Sequence, residues 1–224
     1  MKILICGDSF AVTDARYPGI HWSEKILNFS KDFEVMNFAY GGSSNALIAL
    51  QLSQGLRFNP DFVIFTFTSD SRYEFDNDPG SIPSSMDYLE ISNYLKNRYT
   101  TNMYEHSPQK NRDVIMCLET TFSKNFEKLK NYFYIMYCLN TVQNRNIKFC
   151  YSLGGFEYKQ DYSALLNQNF LENDLANYRN RELLINLWYY QNKSSNAYFH
   201  VDDPEIQNLF YNQCMEFILG KDNG

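Results

Sequence analysis

Histidine is scarce in this chain, and cysteine is poorly arranged for either of its structural uses. The 224 residues hold three histidines (His21, His106, His200) and five cysteines (Cys6, Cys117, Cys138, Cys150, Cys214). The cysteines are odd in number and far apart, with no C-x-x-C pair, so they signal neither a disulfide framework nor a zinc site. Three histidines supply a protein-held metal centre poorly, and no metal is expected. Basic charge is short as well: 20 Lys and Arg stand against 26 Asp and Glu, a net charge of -6. That balance argues against a phosphate-tracking surface, and no nucleic-acid partner is expected. No apolar run approaches the ~20 residues that a bilayer crossing needs, so no membrane span is expected either. The opening stretch MKILICGDSF lacks the charged, apolar, small-residue order of a secretory signal, which predicts a cytoplasmic protein. Gly-x-Gly-x-x-G and P-loop patterns are also missing, which counts against a nucleotide binder.

What the chain has in quantity is aromatic side chains. Eighteen Tyr, eighteen Phe and two Trp make up 17% of it, and each ring buries a large area in a core or an interface. At roughly 100–200 residues per domain, the length suits one domain spanning 1–224, with a helical or loop insertion around 71–108. Short apolar runs at 2–6 (KILIC), 33–39 (FEVMNFA), 62–67 (FVIFTF) and 147–153 (IKFCYSL) read as strands, and 197–199 as a fifth. Helical spacing covers 22–29, 44 to about 56, and 114 to about 140; residues 87 to about 105 and 182–190 also read as helical. Residues 70–83 are polar and broken by Pro79-Gly80, so they read as a loop. Near the end, Asp203 stands where an N-cap belongs, with Pro204 at the first helical position. Strands alternating with helices at this pace predict an α/β fold: a mostly parallel sheet of about five strands, covered on both faces.

In an open parallel sheet, ligands bind beyond the carboxyl ends of the strands. Three loops meet there, 7–11 with Gly-Asp-Ser, 39–45 with Gly-Gly-Ser-Ser-Asn, and 68–72 with Thr-Ser-Asp-Ser-Arg. Small residues let a substrate approach the backbone, and amides following a strand suit an anion or an oxyanion. Taken singly, Asp8 and Ser9 are ordinary turn and cap residues, and His21-Trp22 reads as the start of the first helix.

Together the loops resemble a known pattern. Residues 3–11, ILICGDSFA, resemble the first block of the SGNH/GDSL hydrolase family, whose Gly-Asp-Ser serine is the nucleophile; the resemblance implies that role for Ser9. Residues 37–45, NFAYGGSSN, are similar to the second block, and Gly42 holds the place of the glycine that donates a backbone N–H to the oxyanion. Residues 60–70, PDFVIFTFTSD, are similar to the strand that delivers the third block. The likeness covers about the first 75 residues. It implies a flavodoxin-like α/β/α sandwich and a reaction needing no metal or organic cofactor.

Two positions depart from the family pattern. The third block usually presents an asparagine amide to the oxyanion, whereas this chain has Thr68-Ser69-Asp70, leaving a hydroxyl of Thr68 or Ser69 to donate. The final block is usually Asp-x-x-His-Pro, and here Asp203, before Pro204, occupies the histidine's place. His200 then becomes the provisional base, oriented by Asp202; read as residues alone, His200 is a strand-end histidine and Asp203 a helix cap. One reading is a divergent serine esterase or deacylase using Ser9, Gly42, Ser69 and His200 on a small ester or acetylated carbohydrate. The alternative is a catalytically degraded module of the same fold with a structural or binding role in a larger assembly such as a virion. Either leaves a homo-oligomer or an assembly partner open.

Overall fold

The computed structural model describes residues 1–13, 18–69, 72–76, 98–102, 124–154, 175–191, 201 and 203–220. The apolar runs become parallel strands: β1 (Lys2–Gly7), β2 (Glu34–Asn37) and β3 (Phe62–Thr66). A fourth, Lys148–Ser152, joins the same sheet. Two further strands intervene in the chain, β4 (Arg72–Asp76) and β5 (Arg98–Asn102), so the fourth sheet member is β6. The spatial order is β2-β1-β3-β6, all parallel. The chain moves outward from β1 to β2 and then returns past β1 to β3, which reverses the winding. Right-handed crossovers then send successive helices to opposite faces.

The core follows that arrangement. Side chains alternate along a strand, so Ile3, Ile5, Phe62 and Ile64 share one face while Leu4, Cys6, Val63 and Phe65 share the other. The first face is covered by α1 (Trp22–Leu27) and by the C-terminal helix Pro204–Leu219, through Trp22, Ile26, Phe210 and Met215. The second is covered by α2 (Asn45–Gly55) and α3 (Lys124–Asn144), through Ile48, Leu52, Ile135 and Leu139. The result is a three-layer α/β/α sandwich. β1, β3 and β6 are buried almost throughout, as strands covered on both faces are, whereas the edge strand β2 leaves Glu34 exposed and Val35–Asn37 half-buried. Four reduced, buried cysteines sit in these layers: Cys6 and Cys138 in one, Cys150 and Cys214 in the other. Burial pushes the thiols of Cys6, Cys138 and Cys214 well up. Among the described residues, no helix is long and apolar enough to cross a membrane.

Three local expectations need correction. The stretch expected as a loop, 70–83, carries β4, and the stretch expected as helical, 87–105, carries β5. The two pair antiparallel from Arg72↔Asn102 to Asp76↔Arg98 in a sheet of their own. Aromatic and β-branched residues favour this state, and the register sets Tyr73 opposite Thr101 and Phe75 opposite Tyr99. The helix expected at 182–190 shrinks to α4 (Leu187–Gln191), preceded by a 3₁₀ turn at Arg179–Arg181. Between them the chain is drawn alongside β6: Glu182 bridges Tyr151 in parallel, and the Leu183 amide donates to the Tyr151 carbonyl at 2.7 Å. This bridge fills the place beside β6. The expected fifth strand at 197–199 lies outside the described residues. The C-terminal helix, α5 (Pro204–Leu219), starts as read, with the Asp203 carboxylate accepting from the Glu205 amide at 2.9 Å.

Glu182 is half-buried at that bridge, and desolvation pushes its carboxyl up, with the Arg179 guanidinium pulling partly back. A carboxyl whose pKa is raised on folding destabilises the native state once ionised, and the effect vanishes when both states are protonated. Glu182→Gln is therefore expected to raise the thermal midpoint at pH 7, with the gain disappearing below about pH 4; melts across that range measure it.

Candidate active site

The order β2-β1-β3 brings three turns to one rim of the sheet, at the crevice between β1 and β3 where the winding reverses. The first turn leaves β1. Its Ala11 amide closes on the Asp8 carbonyl at 3.0 Å, and the Phe10 amide donates to Asp8 Oδ1 at 3.0 Å. Neighbours clamp it from outside: Trp22 Nε1 donates to the Phe10 carbonyl at 2.7 Å, and Asn37 Nδ2 to the Ala11 carbonyl at 2.8 Å. Asp8 is fully buried, and Ser9 keeps 8% of its surface exposed. The nucleophile candidate thus sits at the end of the strand on a turn with little freedom to move.

The second turn is pinned to the first by the Tyr40 amide, which donates to the Gly7 carbonyl at 3.2 Å. Gly42 has φ of 80°, a left-handed value that glycine adopts without strain. A methyl placed on Gly41 would lie 3.9 Å from Ser9 Cβ, so this turn runs in contact range of the serine. Ser44 then caps α2 by accepting from the Leu47 amide at 3.2 Å.

The third turn leaves β3. Asn45, at the start of α2, grips it with two bonds: the Thr68 amide donates to Asn45 Oδ1 at 2.9 Å, and Asn45 Nδ2 donates to the Thr68 carbonyl at 2.9 Å. Asn131 on α3 accepts the other Asn45 proton at 3.0 Å. Thr68 is fully buried, and its hydroxyl has no hydrogen-bond partner among the described residues. Ser69 follows it half-buried, so of the two hydroxyls it is the one within easier reach of a bound molecule.

The expected site residues therefore divide. Ser9, Gly42 and Ser69 all stand on the three turns of this rim. His200, Asp202 and Asp70 lie outside the described residues. Val201, directly after His200, is buried in the apolar layer that also holds Phe10 and Ala11. Its carbonyl accepts from Gln207 Nε2 at 2.8 Å, while Gln207 Oε1 takes the Trp22 amide at 3.0 Å. Asp203 serves as the cap of α5, and His21 caps α1 by accepting from the Ser23 amide at 3.3 Å. The reading of residues missed Gln51, whose amide holds Gly7 by both its backbone groups. A signal was there: Gln51 interrupts the apolar run of α2 between Ile48 and Leu52.

Similar architecture is found among solved structures. The esterase EstA from Pseudoalteromonas sp. is 12% identical, with a TM-score of 0.52 over 100% of this chain and 99% of that one. TesA is 10% identical, with a TM-score of 0.51 over 97% of this chain and 98% of that one. The fold is that of the SGNH/GDSL hydrolases. No family model matches the chain, and no curated protein does. At these identities the likeness speaks for the SGNH fold alone.

That fold leaves no room at the end of β1. A methyl on Gly7 would fall 2.0 Å from Thr66 Oγ1 and 2.9 Å from Ala11 Cβ. Gly7→Ala is expected to cost at least about 1–3 kcal/mol through overpacking, read by chemical denaturation.

Proposed function

We propose that this chain is an SGNH-type serine ester hydrolase acting on a small ester or an acetylated carbohydrate. The observation that carries the reading is the meeting of three turns on one rim, with Ser9 on the first and the Gly41-Gly42 turn in contact range of it. In this reading the Ser9 hydroxyl attacks the acyl carbonyl while a base takes its proton. The amides of Ser9 and Gly42 hold the oxyanion, and the Ser69 hydroxyl adds a third donor in place of the usual asparagine amide. Collapse of the tetrahedral intermediate expels the alcohol, which takes the proton back. Water then attacks the acyl-serine by the same route in reverse.

His200 is the base in this scheme. An imidazole with a pKa near ~6.5 suits proton transfer at neutral pH far better than a carboxylate near ~3.9. Support comes from Val201, whose burial in the apolar layer that also holds Phe10 and Ala11 fixes the chain just after His200 on the nucleophile turn's side of the sheet. Replacing the third-block amide by a hydroxyl puts at risk an interaction that typically contributes about 2.7–4 kcal/mol to the transition state. A slow enzyme is the expected product of such a site.

A second reading has its own observation. Asp203, in the histidine's place in the motif, is committed to capping α5. A module of the same fold that has lost catalysis and binds within a larger assembly would show this too. Hydrolysis of nitrophenyl acetate separates the readings. The serine hydrolase predicts losses of about 10³-fold or more for Ser9→Ala and His200→Ala relative to wild type. Equal rates for all three proteins would eliminate it in favour of the module.

A further inference from the structure

Two buried amide side chains of α2 reach the rim, and both are fully engaged. Gln51 Oε1 accepts from the Gly7 amide at 2.7 Å, and its Nε2 donates to the Gly7 carbonyl at 3.1 Å and to Ser43 Oγ at 3.0 Å. Asn45 spends its two amide protons on the Thr68 carbonyl and on Asn131. With every N–H committed, neither side chain replaces the missing third-block donor. What they do is hold turns in place.

We propose that Gln51 is a positioning residue for the acyl-transfer site, fixing the spacing between the two backbone donors of the oxyanion hole. The rate consequences rest on the hydrolase reading above; the geometric claim stands without it. Gly7 lies two residues before Ser9, and Ser43 lies one residue after Gly42. One planar amide bonds to both, so the Ser9 and Gly42 turns share a single rigid strut. Gln51 itself is fully buried, held between Ile48 and Leu52 on the face that α2 presents to the sheet. Oxyanion donors work only when both sit about 2.7–3.1 Å from the developing charge. Displacing one turn against the other therefore weakens transition-state binding and leaves ground-state binding nearly intact.

The test uses the full-length chain with Gln51→Leu, which removes all three bonds at similar volume, and Gln51→Glu. The glutamate keeps the acceptor, and regains a donor toward the Gly7 carbonyl only when protonated. Folding is checked by circular dichroism; amide NMR and nitrophenyl acetate kinetics follow on the same samples. In Gln51→Leu, kcat is expected to fall about 10–100-fold with KM changed less than about two-fold. The Ser9 and Gly42 amide signals shift together, while that of Gly220 at the end of α5 stays. In Gln51→Glu, rate and amide signals return toward wild type as pH falls through the pKa of the introduced carboxyl. Unmoved Ser9 and Gly42 signals in a folded Gln51→Leu overturn the proposal whatever the rates, and so does a loss confined to KM. A wild type no faster than Ser9→Ala overturns the hydrolase reading instead, and the amide signals alone then decide on Gln51. Should Gln51→Leu fail to fold, the pH dependence of the amide signals in Gln51→Glu decides, and signals that do not vary with pH overturn the proposal.

Discussion

β1 pairs along both of its edges, and the arrangement of the rim depends on that double pairing. A buried strand has no water to satisfy its backbone, so each N–H and C=O must find a partner in the protein. On the β3 side the ladder supplies them as far as Gly7↔Thr66. On the β2 side it stops at Ile5↔Asn37, two residues sooner. The Phe38 and Tyr40 amides then serve the Ile5 and Gly7 carbonyls, and Gln51 takes the Gly7 amide that a longer β2 would have served. Only past that point does the chain turn away to present Ser9.

The helices are registered by the same requirement. α2 docks with an apolar face that would tolerate sliding, since Ile48 and Leu52 belong to a broad cluster of aliphatic and aromatic side chains. Its polar members do not tolerate it. Leaving a buried amide unpaired costs about 1–3 kcal/mol, and Asn45 and Gln51 are both paired in one position of the helix alone. Asn131 extends the constraint to α3. Apolar burial thus provides the cohesion of the layers, and a few amides choose their alignment to within a residue.

Much of this was legible in the chain before folding. The stretches ILIC at 3–6 and FVIF at 62–65 are apolar at every position, which in a short segment bounded by turn residues marks a strand buried on both faces. The Asp203-Pro204 start of α5 was equally plain, because capping is a local chemistry. Small residues marked the three turns, and the resemblance to the SGNH/GDSL blocks singled out Ser9 and Gly42 on them. What escaped was non-local. β4 and β5 pair across more than twenty intervening positions, so neither RYEFD nor RYTTN reveals its partner from its own spacing. Glu182 and Leu183 looked helical by local pattern, and the pull of the open edge of β6 outweighed it. Gln51 went unnoticed among its apolar neighbours Ile48 and Leu52, because its meaning appears only when Gly7 is beside it.

The placement of the cysteines gives the molecule an internal clock. Cys6 and Cys138 are sealed in the layer under α2 and α3, Cys150 and Cys214 in the layer under α1 and α5. Each thiol is shielded from reagents in bulk solvent and, where burial raises its pKa, holds its proton against alkylation too. Alkylation at any of the four thus waits for the overlying helices to lift. Its pace at each sulfur reports separately how often either side of the sandwich breathes open.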